Sequence, residues 1–360
     1  MKILIATPLY SPQIGGPATH THLLEAGLSA HDLETKVLPF RVVAKYPPVI
    51  RHLIYSIRLF FSAKDTQLIF AQDPFSCGFP ALVAARLRRI PMVVRIPGDY
   101  AWEQAREKYR IQDTVEEFQH KKYKLSLELL RAVERFVVRH ADATVTPSRF
   151  IGRIVEQWYP RRLQVIHNGV DVPKGIVLPT SLPKRPFMVT ASRLIYGKGF
   201  ECLIDLMEDL PDWQLVIVGS GPLEQTLKIR AAERGVGERV RFVGAVSRAE
   251  MFGWYKAATA FILNTEFETF SFQVVESLAA GTPTIATKVG GIPEIVENGV
   301  QGVLVTPNDQ EALKAALQSV LRDPAVWEKR KEAGLRRAQE LSGAHSVEGF
   351  AKLFKEICRQ

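Results

Sequence analysis

Short apolar runs alternate along this chain with longer segments in which apolar residues recur every three or four positions. The runs fall at 3–7, 35–39, 68–71, 92–96, 143–146 and 164–167, with helix-length amphipathic segments between most of them. This is the signature of a parallel sheet covered by helices. Residues 173–186, PKGIVLPTSLPKRP, hold four prolines and show neither period, so they are expected to link two domains. The pattern then restarts, with runs at 187–191, 214–218, 240–243, 260–263, 284–287 and 302–305. The expected architecture is α/β, with two doubly wound domains at 1–173 and 174–343 and ligands at the carboxyl ends of the strands. A last amphipathic helix is expected at about 344–360. Its apolar face is Val347, Phe350, Phe354 and Ile357, and Ser346 is expected to cap it.

Composition supports folded domains. Of 360 residues, 46% are hydrophobic and 24% charged, which excludes disorder and leaves enough apolar residues for two cores. Cys77, Cys202 and Cys358 are far apart and fit neither a disulfide framework nor a zinc cluster, so a cytoplasmic setting is expected. Arg51, Arg58, Arg95 and Arg139 interrupt every apolar stretch before it reaches the roughly 18 residues of a membrane span. The opening run, stopped by Pro8, lacks a cleavage site and reads as a strand.

The net charge of +9 is unevenly spread. Residues 1–173 carry 24 Lys+Arg against 16 Asp+Glu, while 174–360 carry 23 against 22. Such asymmetry points to an anionic partner for the first half, a membrane surface or nucleic acid. No nucleic-acid-reading module accompanies the basic residues, so the membrane is preferred. Residues 47–64 predict a helix with Ile50, Leu53, Ile54, Ile57, Phe60 and Phe61 on a broad apolar side beside Arg51, Arg58 and Lys64. This fits either an interfacial helix on the inner face of the plasma membrane or a helix packed on the sheet. Arg86, Arg88 and Arg89, and Lys121, Lys122 and Lys124, would add to the attraction for anionic lipid.

Four stretches carry candidate chemistry. Gly15 and Gly16 lie between the first strand and the first helix, where glycine lets the backbone approach a ligand and helix N–H groups suit a phosphate. Gly219 opens GSGPLE, which lacks the third glycine of a dinucleotide fingerprint and reads as a strand-to-helix turn bordering a nucleotide site. Arg193 and Lys198, in SRLIYGKG, place a bidentate fork and a point charge on a loop able to clamp a diphosphate. Residues 264–299 hold Glu266 and Glu268 in an acidic loop, then a helix expected at 271–280. The backbone of Phe270, Ser271 and Phe272 would offer N–H groups to a phosphate, and Glu276 could accept hydrogen bonds from a ribose diol.

Those motifs, in order with VTPSRFI at 145–151, VIHNGVD at 165–171 and SLAAGTPTIATKVGGIPEIVENG at 277–299, resemble the retaining nucleotide-sugar glycosyltransferases of family 4 over essentially the whole chain. The resemblance implies the GT-B fold, two Rossmann-like domains facing a central cleft. It implies that Arg193 and Lys198 hold the donor diphosphate, Glu276 the ribose and Glu268 the transferred sugar. Gly15 and Gly16 would close over the same site from the other domain, and the last helix would return to the first. Ser192, Thr269 and Ser271 stand where relatives have glycine, implying a narrower or more polar sugar pocket. Where many relatives place an acceptor-side His, this chain runs RIPGDYAWE; Asp99 is the candidate replacement, or else the cap of a helix. The expected activity is transfer of a sugar from a UDP-, GDP- or ADP-sugar to a glycan or lipid-linked acceptor in glycolipid, lipopolysaccharide or polysaccharide synthesis, with no metal and no cofactor. A nucleotide-sugar epimerase, a phosphorylase-like enzyme and a non-catalytic sugar-nucleotide binder are the alternatives.

Overall fold

The computed structural model describes residues 1–11, 15–183 and 186–359, and within it the chain forms two compact units. The first comprises Met1–Gly169 with Gly343–Gln360, the second Val170–Ser342. Each is built on one six-stranded parallel sheet, as the two sets of apolar runs predict.

In the first unit the strands are β1 (Lys2–Thr7), β2 (Glu34–Pro39), β3 (Leu68–Ala71), β4 (Met92–Arg95), β5 (Ala143–Thr146) and β6 (Leu163–Val165), in the order β2-β1-β3-β4-β5-β6. Ile3, Ile5, Leu68, Phe70, Val93 and Val145 are shut off from solvent. Burial on both faces is why β3 reads as an unbroken apolar run; β5, Ala-Thr-Val-Thr, is equally buried but alternates apolar residues with buried threonines. The helices are α1 (Gly16–Leu28), α2 (Pro48–Ser62), α3 (Phe79–Arg88), α4 (Tyr100–Tyr109), α5 (Val115–His120), α6 (Leu125–His140) and α7 (Arg149–Glu156). Side-chain caps set several of their starts. Thr114 and Glu117 form a reciprocal box on α5, and Ser148 Oγ accepts from the amide of Ile151 on α7.

The second unit holds β7 (Phe187–Ala191), β8 (Gln214–Val218), β9 (Val240–Gly244), β10 (Ala260–Leu263), β11 (Thr284–Thr287) and β12 (Val303–Val305), ordered β12-β11-β10-β7-β8-β9. Its helices are α8 (Phe200–Leu206), α9 (Glu224–Glu233), α10 (Arg248–Ala257), α11 (Phe272–Ala279), α12 (Gln310–Arg322) and α13 (Pro324–Glu340). One apolar layer gathers Leu203, Leu215, Ile217, Leu313 and Trp327; the other gathers Val189, Val216, Tyr255, Phe261 and Val274. The strand order reverses between β7 and β10, so connections leave in opposite directions there and open a crevice at the carboxyl edge.

Three expectations change. Described residues of the proline-rich segment lie within the second unit: Val177 N–H donates to Ala249 O at 3.2 Å, and the Val177 carbonyl sits 2.0 Å from where a side chain on Gly253 of α10 would begin. Lys184 and Arg185 of that segment fall outside the described residues. The last helix, α14 (Gly343–Arg359), starts before Ser346, which therefore does not cap it. Ser346 lies on the buried face, one turn before Phe350, where its small side chain is nearly covered. Val347, Phe350, Phe354 and Ile357 enter the first unit's core, with the Phe350 and Phe354 rings 5.4 and 5.2 Å from that of Phe70; Gln360, at the end of the expected segment, lies outside the described residues. Finally, α2 buries Tyr55, Ser56 and Leu59, leaving Val49, Ile50, Leu53, Ile57 and Phe61 exposed. Much of its expected apolar side thus faces solvent. Among the described residues no helix is long and apolar enough to cross a membrane.

Candidate functional site

Hydrogen bonds join the loops after β7, β8 and β10 at the switch in the second sheet. Ser192 N–H donates to Val218 O at 3.2 Å and Leu194 N–H to Ser220 O at 3.1 Å. Gly219, at φ 131°, is required by this approach, since a side chain there would begin 2.0 Å from the Ser192 carbonyl oxygen. Across the switch, Glu266 N–H donates to Gly197 O at 2.9 Å and Asn264 Nδ2 to Gly199 O at 3.1 Å. The loop carrying the two cations is thereby fixed at both ends. Arg193 is exposed, with no ion pair among the described residues. Lys198 Nζ lies 3.0 Å from Glu268 Oε2, and the two side chains are 19% and 18% exposed. Two residues expected to share one ligand are therefore in direct contact.

The backbone of Glu268 is also clamped. Its carbonyl accepts from Gly291 N–H at 3.0 Å, and Gly290 passes so close, at φ 54°, that a side chain would begin 1.8 Å from that oxygen. Beyond it, Phe270 is buried and Ser271 caps α11, its Oγ accepting from Val274 N–H at 3.3 Å. The helix spans Phe272–Ala279, one residue shorter at each end than expected, and Gly281 at φ 70° follows its end. Its N-terminus carries the positive end of the helix dipole, beside Glu268 in sequence.

Glu276 lies in the second turn of α11 and is largely buried; its Oε1 is 3.2 Å from Arg248 Nε. Burial pushes its carboxyl above the ordinary range, while Arg248 pulls it back. The hydroxyl of buried Tyr255 faces the same carboxylate, which pushes the phenol up together with burial. Arg248 also donates through Nη2 to Asp171 O at 2.7 Å, tying the Glu276 site to the VIHNGVD segment. Sequence reading missed Arg248. The Ser247–Glu250 capping box marks the helix start that positions it, but no local pattern says which carboxylate it meets.

The remaining candidates belong to the first unit. Gly15 precedes α1 as its N-cap and Gly16 begins it; residues 12–14 of their loop lie outside the described residues. Asp99 is buried and caps α4: Oδ1 accepts from Trp102 N–H at 2.8 Å and Oδ2 from Gln119 Nε2 at 2.7 Å. Burial raises its carboxyl above the ordinary range. With both oxygens engaged inside the protein, Asp99 shows the bonds of the helix-cap alternative. Arg95, at the end of β4, is buried and donates through Nη2 to Asn168 of VIHNGVD at 2.7 Å; burial lowers its pKa to about 10. Sequence reading had used Arg95 only to exclude a membrane span.

Comparison with known proteins agrees with this layout. Residues 20–174 match the Glycosyltransferase Family 4 model and residues 179–338 the Glycosyl transferases group 1 model. Glycogen synthase of Mycobacterium tuberculosis is 31% identical over 268 residues, which are 72% of this chain and 61% of that protein. The match thus spans about three-fifths of the relative's length. Among solved structures, sucrose-phosphate synthase from Thermosynechococcus elongatus superposes with a TM-score of 0.81 at 21% identity, covering 99% of this chain and 98% of that one. HepE of Anabaena, solved with UDP-glucose, gives 0.78 at 19% identity, covering 99% and 100%. At these identities the two structures attest the fold.

Proposed function

Because the chain belongs to the family 4, group 1 glycosyltransferases, we propose that it moves a sugar from a nucleoside diphosphate to a hydroxyl acceptor with retained anomeric configuration. The observation that supports this most is the convergence of Arg193, Lys198, Glu268 and the α11 N-terminus at the carboxyl edge of the second sheet, with Glu276 one turn further on. Arg193 and Lys198 bind the diphosphate, and Glu276 the ribose. As the bond between the anomeric carbon and the diphosphate breaks, negative charge grows on the leaving group. The two cations and the helix dipole are placed to stabilise it. Glu268 orients the sugar hydroxyls, and the acceptor oxygen bonds to the anomeric carbon as its proton passes to the departing diphosphate oxygen. Side chains and backbone do this work with no resident metal or cofactor, and the donor is a UDP-, GDP- or ADP-sugar.

A melting screen with UDP, GDP, ADP and their sugars tests the donor site. One base is expected to raise the melting temperature in step with concentration, since ligand at 100 times Kd adds about 2.7 kcal/mol. No shift with any of them would overturn the donor assignment. The anomeric proton coupling of the product, read by NMR, tests stereochemistry, and an inverted product would refute retention.

The same proposal places the first unit on an anionic membrane surface. Val49, Leu53 and Phe61 of α2 are 84%, 64% and 68% exposed, and Arg58 is exposed on the same helix. α2 packs on α3, which brings exposed Arg86 and Leu87 to neighbouring surface. Apolar side chains flanked by arginines suit the boundary between headgroups and acyl chains, each basic residue adding about 1 kcal/mol near anionic lipid. In flotation assays the protein should rise with phosphatidylserine vesicles at low salt and less at high salt. Leu53→Asp with Phe61→Asp should abolish flotation without changing the melting temperature. Failure to float at low salt would leave a soluble acceptor as the better reading.

A further inference from the structure

Lys198 lies between two glycines, and the carbonyls on either side of it are both gripped from the end of β10. Gly197 O accepts from Glu266 N–H at 2.9 Å and from Thr265 Oγ1 at 3.2 Å, while Gly199 O accepts from Asn264 Nδ2 at 3.1 Å. The approach depends on glycine. Gly197 and Gly199 have φ of 79° and 64°, and a side chain on Gly199 would begin 2.0 Å from the Asn264 backbone oxygen. Lysine is a point charge on a flexible stem, so where its ammonium stands follows from where its backbone is held.

Asn264 is itself held from a third strand. It is 1% exposed, and its side-chain amide uses both N–H groups and its oxygen: Nδ2 also donates to Asn308 Oδ1 at 3.0 Å, and Oδ1 accepts from Asn308 N–H at 3.0 Å. These reciprocal bonds fix which way the amide faces. Turned over, it would set its NH2 against the Asn308 N–H and its oxygen against the two oxygens it now bonds. Asn308 follows β12 and has φ 61°, a left-handed conformation that asparagine tolerates better than most residues. It is exposed, so substitutions there leave the core intact.

We propose that Asn264 and Asn308 are positioning residues for Lys198, reaching from β12 across β10 to the Gly199 carbonyl and setting the lysine stem against the donor diphosphate. Glu268, 3.0 Å from Nζ, orients the charged tip; the asparagines fix the root. A misplacement of about 1 Å can cost about 100-fold in rate, so a loosened root is visible in kinetics. The proposal rests on the donor reading, which supplies the diphosphate, and adds that the position of the cation is set from two strands away.

A double-mutant cycle with Lys198→Ala tests it. Asn264→Leu is close in size and removes all three bonds, while Gly199 O keeps the Leu203 N–H at 3.3 Å and α8 its first turn. Asn308→Gly removes Oδ1 and suits the positive φ. We expect kcat/KM to fall about tenfold in Asn264→Leu and about fivefold in Asn308→Gly. Nucleoside diphosphate should bind more weakly in both, and nucleoside monophosphate as in the parent. In the Lys198→Ala background either change should alter kcat/KM by less than about twofold, because the residue it positions is gone. Asn308→Asp keeps the acceptor and should keep the parental rate. Equal losses in both backgrounds, equal weakening of monophosphate and diphosphate, or unchanged kinetics would overturn the proposal; should Asn264→Leu not fold, the two Asn308 variants decide it. Hydrogen exchange of the ligand-free protein separates this from the donor reading. Amides of 193–199 should exchange faster in Asn264→Leu than in the parent, and equal rates would refute the hold on the loop even where nucleotide binds. A parent protein that binds no nucleotide would instead refute the donor reading.

Discussion

Replacing Lys198 with alanine is expected to lower kcat/KM by about 1,000-fold, more than the loss of one ordinary phosphate contact. Removing a single donor aimed at developing charge costs about 100- to 1,000-fold. Here the cation also neutralises Glu268 at 3.0 Å, so its removal leaves a poorly solvated carboxylate beside the proposed diphosphate site. Two further variants separate the contributions. Glu268→Gln in the Lys198→Ala background should recover part of the lost affinity for free nucleoside diphosphate, because the repulsion is gone, while turnover stays low. Arg193→Lys should also be slow, since a point charge cannot reproduce the fork. Calorimetry with the sugar-free diphosphate and steady-state kinetics report the two effects separately. Unchanged kinetics in Lys198→Ala and Arg193→Ala would refute the diphosphate clamp.

The second large effect concerns Glu276. Glu276→Gln should weaken free nucleoside diphosphate by about 10- to 100-fold, the scale of hydrogen bonds to a charged group. Glu268→Gln in the otherwise unaltered protein should largely spare that affinity and depress turnover. The dependence on pH carries more information. Burial holds the folded-state pKa of Glu276 above its ordinary value, so affinity is full at pH above that pKa and falls as pH drops through it. Arg248 opposes this rise. In Arg248→Met the pKa climbs further, and the fall in affinity should move to higher pH. A uniform loss of affinity with no displacement of the profile would mean that Arg248 only packs against the site. Tyr255, whose hydroxyl faces the same carboxylate, is the other titratable group acting on Glu276, and its own raised pKa keeps it neutral throughout.

Most of the strands were legible because the central strands of a parallel sheet are buried on both faces and take apolar or β-branched residues, as in Leu68–Ala71 and Ala143–Thr146. Phe187–Ala191, Gln214–Val218 and Ala260–Leu263 match their apolar runs residue for residue. Helix starts were less legible, since a serine at a cap and a serine on a buried face look alike: Ser148 caps, whereas Ser346 is enclosed in α14. Apolar spacing likewise shows that a helix has two sides without saying which one the sheet takes. In α2 the single tyrosine and Leu59 pack inward, and the larger aliphatic stripe stays out. At the candidate donor site, the residues lying on one loop or helix were readable from local motifs. Partners brought together by the sheet were not: Lys198 and Glu268 are 70 positions apart, and Arg248 and Glu276 are 28 apart. Asp99 illustrates the same limit, because the Gln119 side chain that occupies its second oxygen comes from a different helix.

The packing of α14 also bears on the order in which the chain acquires its structure during synthesis. The first sheet is translated first, yet Phe350, Leu353 and Phe354, which cover part of it, come after every residue of the second unit. Domains generally fold as they emerge from the ribosome, at about 5–20 residues per second. The second unit can therefore complete its core while the first still exposes the apolar ground around Phe70 and Leu24. For roughly ten seconds or more, the nascent first unit is the vulnerable part of the protein. Its maturation waits on a helix made only after the second unit.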